Sequence, residues 1–174
     1  MKYLVTYLIL LFFFSCHPQV DTKVSQAQEK QIHDSTALNT PKDMIITPEE
    51  WQEDSIFDDG SRPADWSVTG INDANQLKIF IKFLGIWIDN NNRDSIAAHI
   101  QYPLSSNKEI NSPQAFLDNY DKLFNEKVKT AIKKQKFPQV FRDRHGARVG
   151  KGELWIRNVS KGLTDNFKIV SINN

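Results

Sequence analysis

The chain has 174 residues, 40% of them hydrophobic, and its eleven Phe and four Trp are enough for one sizeable core plus a tail. Lys and Arg number 22 against 21 Asp and Glu, so the basic footprint of a nucleic-acid binder is missing. A single cysteine excludes an internal disulfide framework and a paired-thiolate metal site.

The N-terminus begins with one charge, Lys2, followed by an apolar run from Leu4 to Phe14 broken only by Thr6 and Tyr7. That run has signal-peptide length and falls short of the ~20 residues that span a bilayer. It ends in Phe13-Phe14-Ser15 before Cys16, which resembles a bacterial lipobox of the phenylalanine-rich, Bacteroidetes type. The resemblance implies that residues 1–15 are removed and that Cys16 is lipidated. Stable anchoring takes two or more acyl chains, because each buried methylene contributes only ~0.8 kcal/mol and a single chain holds marginally. Lipidation also accounts for the solitary cysteine, since it leaves no thiol for a disulfide, a metal or a nucleophile. With Lys2 gone, the remaining chain carries as many acidic as basic residues.

Residues 16–42 follow as the lipidated Cys and a disordered tether, rich in Gln, Ser, Thr and Lys and without apolar period. A flexible coil of that length has an r.m.s. reach of roughly 30 Å. His17 and His33 fall in this tail and are not candidates for catalysis. The folded domain is expected over 43–174. Thr47-Pro48-Glu49-Glu50 reads as a capping box with proline at the first helical position. Trp51 and Ile56 are expected to dock this turn on the domain. Residues 57–70 read as an entrance loop from their Gly, Pro and Asp content. Asp54, Asp58 and Asp59 lack the alternating ligands and terminal Glu of an EF-hand, so Asx-turns are the better account of them.

Asn72 or Asp73 can cap a helix running to about Asp89, with Leu77, Phe80, Ile81, Leu84 and Ile88 on one face. Phe83 and Trp87 broaden that face, and Asn90-Asn91-Asn92 ends the helix. A short helix from Asp94 to about Ile100 comes next, then Tyr102-Pro103-Leu104 as an edge strand. Ser112-Pro113 starts another helix, lined by Phe116, Tyr120, Leu123 and Phe124, which Asn125 breaks before a further one. Past Pro138 the pattern is strands: Val140 to Arg144, Ala147 to Val149, Glu153 to Val159 and Phe167 to Ile172, with turns at His145-Gly146 and Gly150-Lys151-Gly152. Alternation puts Leu154 and Ile156 on one face of the third strand and Trp155 on the other, outward or at the rim.

Helices followed by an antiparallel meander make an α+β order. Residues 97–104, 116–124 and 150–156 resemble the NTF2-like (cystatin-like) superfamily as it occurs in a group of bacterial secreted proteins. The resemblance runs from about Thr47 to the end. It implies a cone, with N-terminal helices packed on a curved, mainly antiparallel sheet, and a pocket at the wide end. Its motifs carry shape and no chemistry.

The usual nucleophile, metal and phosphate-loop signatures are missing, and no cofactor is expected. Two constellations remain. Members of the resembled superfamily that are enzymes place a carboxylate and a histidine in the cone, which makes His99, Asp94, His145 and Asp89 the catalytic candidates. Arg142, Arg144, Arg148 and Lys151 cluster around one hairpin with Trp155, and Arg142 and Arg144 are expected on one strand face. That group would hold a small anionic ligand such as a carboxylate, a phosphate or a sugar acid; the competing account is a solvated strand face. The leading expectation is a non-enzymatic envelope lipoprotein, on the outer membrane and facing the periplasm or the cell surface, that binds an envelope protein or a small ligand. The alternatives are a small envelope enzyme with a His–carboxylate pair, and an inhibitor or immunity protein.

Overall fold

Thr47 caps the helix Pro48–Trp51 with the expected reciprocal box. Its hydroxyl accepts the Glu50 amide at 3.4 Å, and its own amide donates to Glu50 Oε2 at 2.8 Å. The structure is a computed structural model that describes residues 46–174, all within the unit from Thr40 to Asn174. The expected signal peptide, Cys16 and the expected tether lie outside the described residues. Helix α1 (Pro48–Trp51) buries none of its residues. Trp51 and Ile56 do not dock it; they are 37% and 52% exposed, and Ile46 and Phe57 are buried instead. The turn is held from the other side, where the buried Lys78 donates to the carbonyls of Trp51 and Gln52 at 2.9 and 3.1 Å. Those are C-terminal carbonyls of α1, which a helix leaves without intrahelical partners.

The entrance segment closes with a 3₁₀ turn (Trp66–Thr69), capped by Asp65 and ended by Gly70 in the left-handed region. Helix α2 (Ala74–Asp89) is capped by Asp73, whose carboxylate accepts the amides of Asn75 and Gln76. It buries Leu77, Lys78, Phe80, Ile81, Leu84 and Ile88. Asn91 takes a positive φ of 50°, and Asn92 caps α3 (Arg93–Ala98). Ser112 caps α4 (Pro113–Asp118), α5 (Tyr120–Leu123) follows, and Asn125 caps α6 (Glu126–Lys133). Asn125 thus ends one apolar run and starts the next, because its side chain accepts from Lys127 and Val128.

The strands β1 (Phe141–Asp143), β2 (Gly146–Val149), β3 (Leu154–Asn158) and β4 (Phe167–Ile172) form an antiparallel meander in sequence order. Cross-strand register sorts the two faces. Arg142, Ala147, Ile156 and Ile169 follow one another across the inner face, and Phe141, Arg148, Trp155 and Ser171 across the outer one. A register shift at Trp155/Ile156 marks a bulge, which bends a strand and increases its twist. Gly146 is required where it stands: its φ is +118°, and a Cβ there would come within 2.2 Å of the Ile156 carbonyl oxygen.

One expected element is different. Residues 102–104 are not a strand of the sheet. The chain around them borders β4: Ile169 donates to His99 O, Gln101 donates to Ile169 O, and Ser105 donates to Val170 O. Pairing is reduced to one parallel bridge, Ile100↔Ile169, and Leu104 pairs with Asn107 within its own turn. Pro103 has no N–H to offer a ladder, and Leu104 is fully buried.

The helices and the inner sheet face share one core. Leu77, Ile81 and Leu84 of α2 join Ala147, Val149, Leu154, Ile156 and Ile169, and Phe116 and Phe124 complete it from the middle helices. The architecture is α+β, with helices against a four-stranded antiparallel sheet whose concealed face is filled with Leu, Ile, Val and Ala except at its β1 edge, where Arg142 is buried.

Candidate functional site

Beside α2 the surface opens into a groove of about 640 Å³, within the size range of small-molecule sites. Helical spacing builds one wall, since Gln76, Ile79, Phe80, Phe83 and Trp87 follow i, i+3, i+4 steps along α2. His99, the residue that ends α3, and Phe167, the first residue of β4, supply the opposite side. The β3–β4 loop closes one end with Leu163, Thr164 and Asp165.

The aromatic rings form a connected row. Trp87 stacks on His99 at 4.8 Å and on Phe83 at 5.8 Å, while Phe80 lies 5.3 Å from His99 and 5.6 Å from Phe167. His99 is fixed through Nδ1, which lies 2.8 Å from the Ser95 carbonyl; as a donor there it leaves Nε2 as the acceptor nitrogen. Two carboxylates line the far end. Asp165 is a clasp, accepting the amides of Asn72 and Asp73 and the side-chain amides of Asn72 and Asn158. Asp73 caps α2. Both carboxylates border the groove with their oxygens engaged by the fold. Leu163, 97% exposed, sits at the lip.

The catalytic candidates separate. His99 lines the groove, whereas Asp94 is exposed on the first turn of α3 and is not among the residues lining it. Asp89 is exposed as well and forms an ion pair with Lys133. His145 lies on the exposed β1–β2 turn, its Nδ1 3.2 Å from Asp143 Oδ2 and its amide donating to Asp143 Oδ1. Partial burial pushes the Asp143 carboxyl up, but the hydrogen bonds and charge of His145, with Arg144 behind them, outweigh it and hold the carboxyl below its ordinary range.

The arginine cluster divides too. Arg142 does not share an outward face with Arg144. It is buried at 6% exposure, donates to Ala64 O at 2.7 Å and Glu53 Oε2 at 2.8 Å, and lies 4.1 Å over the Trp66 ring. Arg144 falls in the turn after β1 has ended and is exposed. Arg148 and Trp155 do meet: they line a shallow pocket of about 540 Å³ with Lys151, Lys127 and Glu153. Burial lowers the pKa of Lys78 beneath the Arg142 cluster; the Glu53 carboxylate opposes the shift and Arg142 adds to it. The acidic residues of the entrance are structural. Asp59 accepts both the amide and the hydroxyl of Ser61, and Gln139 bridges Asp54 and Asp58.

Sequence reading did not single out Phe83, Trp87 and Phe167 as a binding surface. The available signal was an apolar arc on α2 wider than one packing partner can cover. No family model, curated protein or solved structure matches the chain. Among the described residues no helix is long and apolar enough to cross a membrane, and no group of three His, Cys, Asp or Glu could hold a metal ion.

Proposed function

We propose that this protein is a lipoprotein of a bacterial envelope, held on the outer membrane through lipidated Cys16, whose NTF2-like domain binds a ligand without chemically changing it. The order of helices before an antiparallel meander, with α2 joined to the inner sheet face in one core, supports the NTF2-like assignment. The groove beside α2 is the binding site.

The observation that carries this reading is the make-up of that groove. Its walls are aromatic, its charged lining groups among the described residues are Asp73 and Asp165, and no lysine or arginine lines it. Aromatic faces attract cations through the ring quadrupole, and two fixed carboxylates add to that field. The ligand is therefore apolar and positively charged: an aromatic or aliphatic ammonium, free or on a peptide side chain. His99 shares the groove with two carboxylates, which is the arrangement the enzymatic alternative needs. Both carboxylates, however, accept backbone amides of α2's first turn or the residues before it, and neither is hydrogen-bonded to His99. Among the described residues the enclosed face of the sheet is packed, and its buried Arg142 is held by Ala64 and Glu53.

Tryptamine and indole-3-acetate present the same ring with opposite charge. Calorimetric titration of each into the full chain should give tryptamine the tighter binding by roughly tenfold, the equivalent of one cation–π contact. Trp87→Ala should abolish the difference. Equal affinity for the two probes, or a Trp87→Ala protein that binds tryptamine as well as wild type, would overturn the reading.

A further inference from the structure

The pocket on the outer sheet face has the opposite chemistry, and it stands independently of the α2 groove, with which it shares no lining residue. β2 supplies Arg148, the tight turn after it Lys151 and Gly152, β3 Trp155, and α6 Lys127. Three cations meet one carboxylate, Glu153. That carboxylate is already engaged by the Lys151 amide at 2.6 Å, and Lys127 Nζ stands 3.9 Å from its other oxygen.

The donors here are not consumed by the fold. Arg142, one strand away, spends its guanidinium on Ala64, Val140 and Glu53. The Arg148 side chain makes no hydrogen bond or ion pair among the described residues, though the Asp59 carboxylate feels its charge; it lies 4.0 Å over the Phe141 ring, and its Nε is buried without a partner. The Trp155 indole N–H and the Lys151 ammonium likewise have no hydrogen-bond acceptor among the described residues. Gly152 keeps the space between them open. Its φ is +115°, and a Cβ would stand 3.6 Å from Arg148 Cδ and 3.8 Å from Trp155 Nε1.

We infer that this pocket is a binding site for a phosphate group, with Arg148 and Lys151 carrying the charge and the Trp155 N–H completing the donor set. A planar guanidinium fork beside point-charge ammoniums matches the several acceptor oxygens of phosphate. The excess of cations over carboxylates in the lining matches its dianionic form better than a monoanionic carboxylate. The phosphate belongs either to a small soluble ligand or to a lipid headgroup.

The test follows the Trp155 indole N–H resonance of the ¹⁵N-labelled full chain, assigned with Trp155→Phe. Inorganic phosphate should move it saturably, whereas sodium acetate and sodium chloride at equal ionic strength should not. Lys151→Ala, at an exposed turn position that leaves the core intact, and Arg148→Ala should each weaken the response about tenfold. Glu153→Gln, which keeps an acceptor for the Lys151 amide and removes the competing charge, should strengthen it several-fold. A response to phosphatidic acid vesicles, whose headgroup is a phosphomonoester, over phosphatidylcholine ones, with none to inorganic phosphate, would assign the phosphate to a headgroup. The inference is overturned by silence toward both sources, by an equal response to chloride, or by Lys151→Ala and Glu153→Gln proteins that behave as wild type does.

Discussion

Leu154, Trp155 and Ile156 are consecutive residues in two different situations. Leu154 and Ile156 are fully buried against the helices, while Trp155 on the outer face is half-buried between Phe141 and His145. Truncating either aliphatic removes its transfer free energy and leaves a cavity the helices cannot fill. Leu154→Ala and Ile156→Ala should each cost about 2–4 kcal/mol in urea melts. Trp155→Ala should cost less, because its ring packs on one side only and water can take its place. A larger loss for Trp155 would mean that the outer face is a second core, and its indole N–H would then have no freedom to serve a ligand.

At the scale of elements, the entrance segment is fastened by a polar knot as well as by buried Phe57. Glu53 accepts from Trp66 Nε1 at 2.6 Å and from Arg142 at 2.8 Å, and the same guanidinium holds Ala64 O and covers the Trp66 ring. Lys78, buried close by, ties down the end of α1. Glu53 is 32% exposed, so water can take over its charge once the guanidinium is gone; what is lost is the buried arginine's own hydrogen bonds and its stack on Trp66. Arg142→Ala should therefore lose about 1–3 kcal/mol, and trypsin should cut the loop at Arg62 faster than in wild type. Arg142→Lys should rescue little, because an ammonium supplies neither the fork nor the planar stack. Unchanged stability and cutting would show that the Phe57–Phe141 contact, at 6.5 Å between ring centroids, fastens the loop instead.

For the whole molecule, near-neutral net charge conceals two surfaces of opposite charge: carboxylates beside aromatic rings along α2, and cations around Trp155 on the outer sheet face. Each field acts within about a Debye length, roughly 8 Å at physiological ionic strength, so the two sites can select opposite charges on one domain. Membrane attachment belongs to this scale too. Cells fed labelled palmitate should label the wild-type chain and not Cys16→Ala; equal labelling of the two would remove the anchor from the proposal.

What the sequence determined by itself is whatever depends on near neighbours along the chain. Asp73, Asn92, Ser112 and Asn125 cap the helices that follow them because a short polar side chain two or three residues from an orphan amide has little else to bond. The period-two alternation of β3 placed Leu154 and Ile156 inside and Trp155 outside because a strand cannot turn one without the other. Contacts between distant segments were decided only in three dimensions. Arg142 reads like Arg144 along the chain, yet β1 ends between them, and Glu53, 89 residues away, draws Arg142 inward. Residues 102–104 carry strand-like composition, but β4 gains only isolated hydrogen bonds from that stretch because Pro103 interrupts the donors. The groove is tertiary in the same sense: Trp87, His99 and Phe167 lie on three elements, and the packing of α2 against the start of β4 brings their rings together. Local patterns report the bonds a residue makes with its neighbours; a binding surface depends on which apolar positions the packed core leaves uncovered.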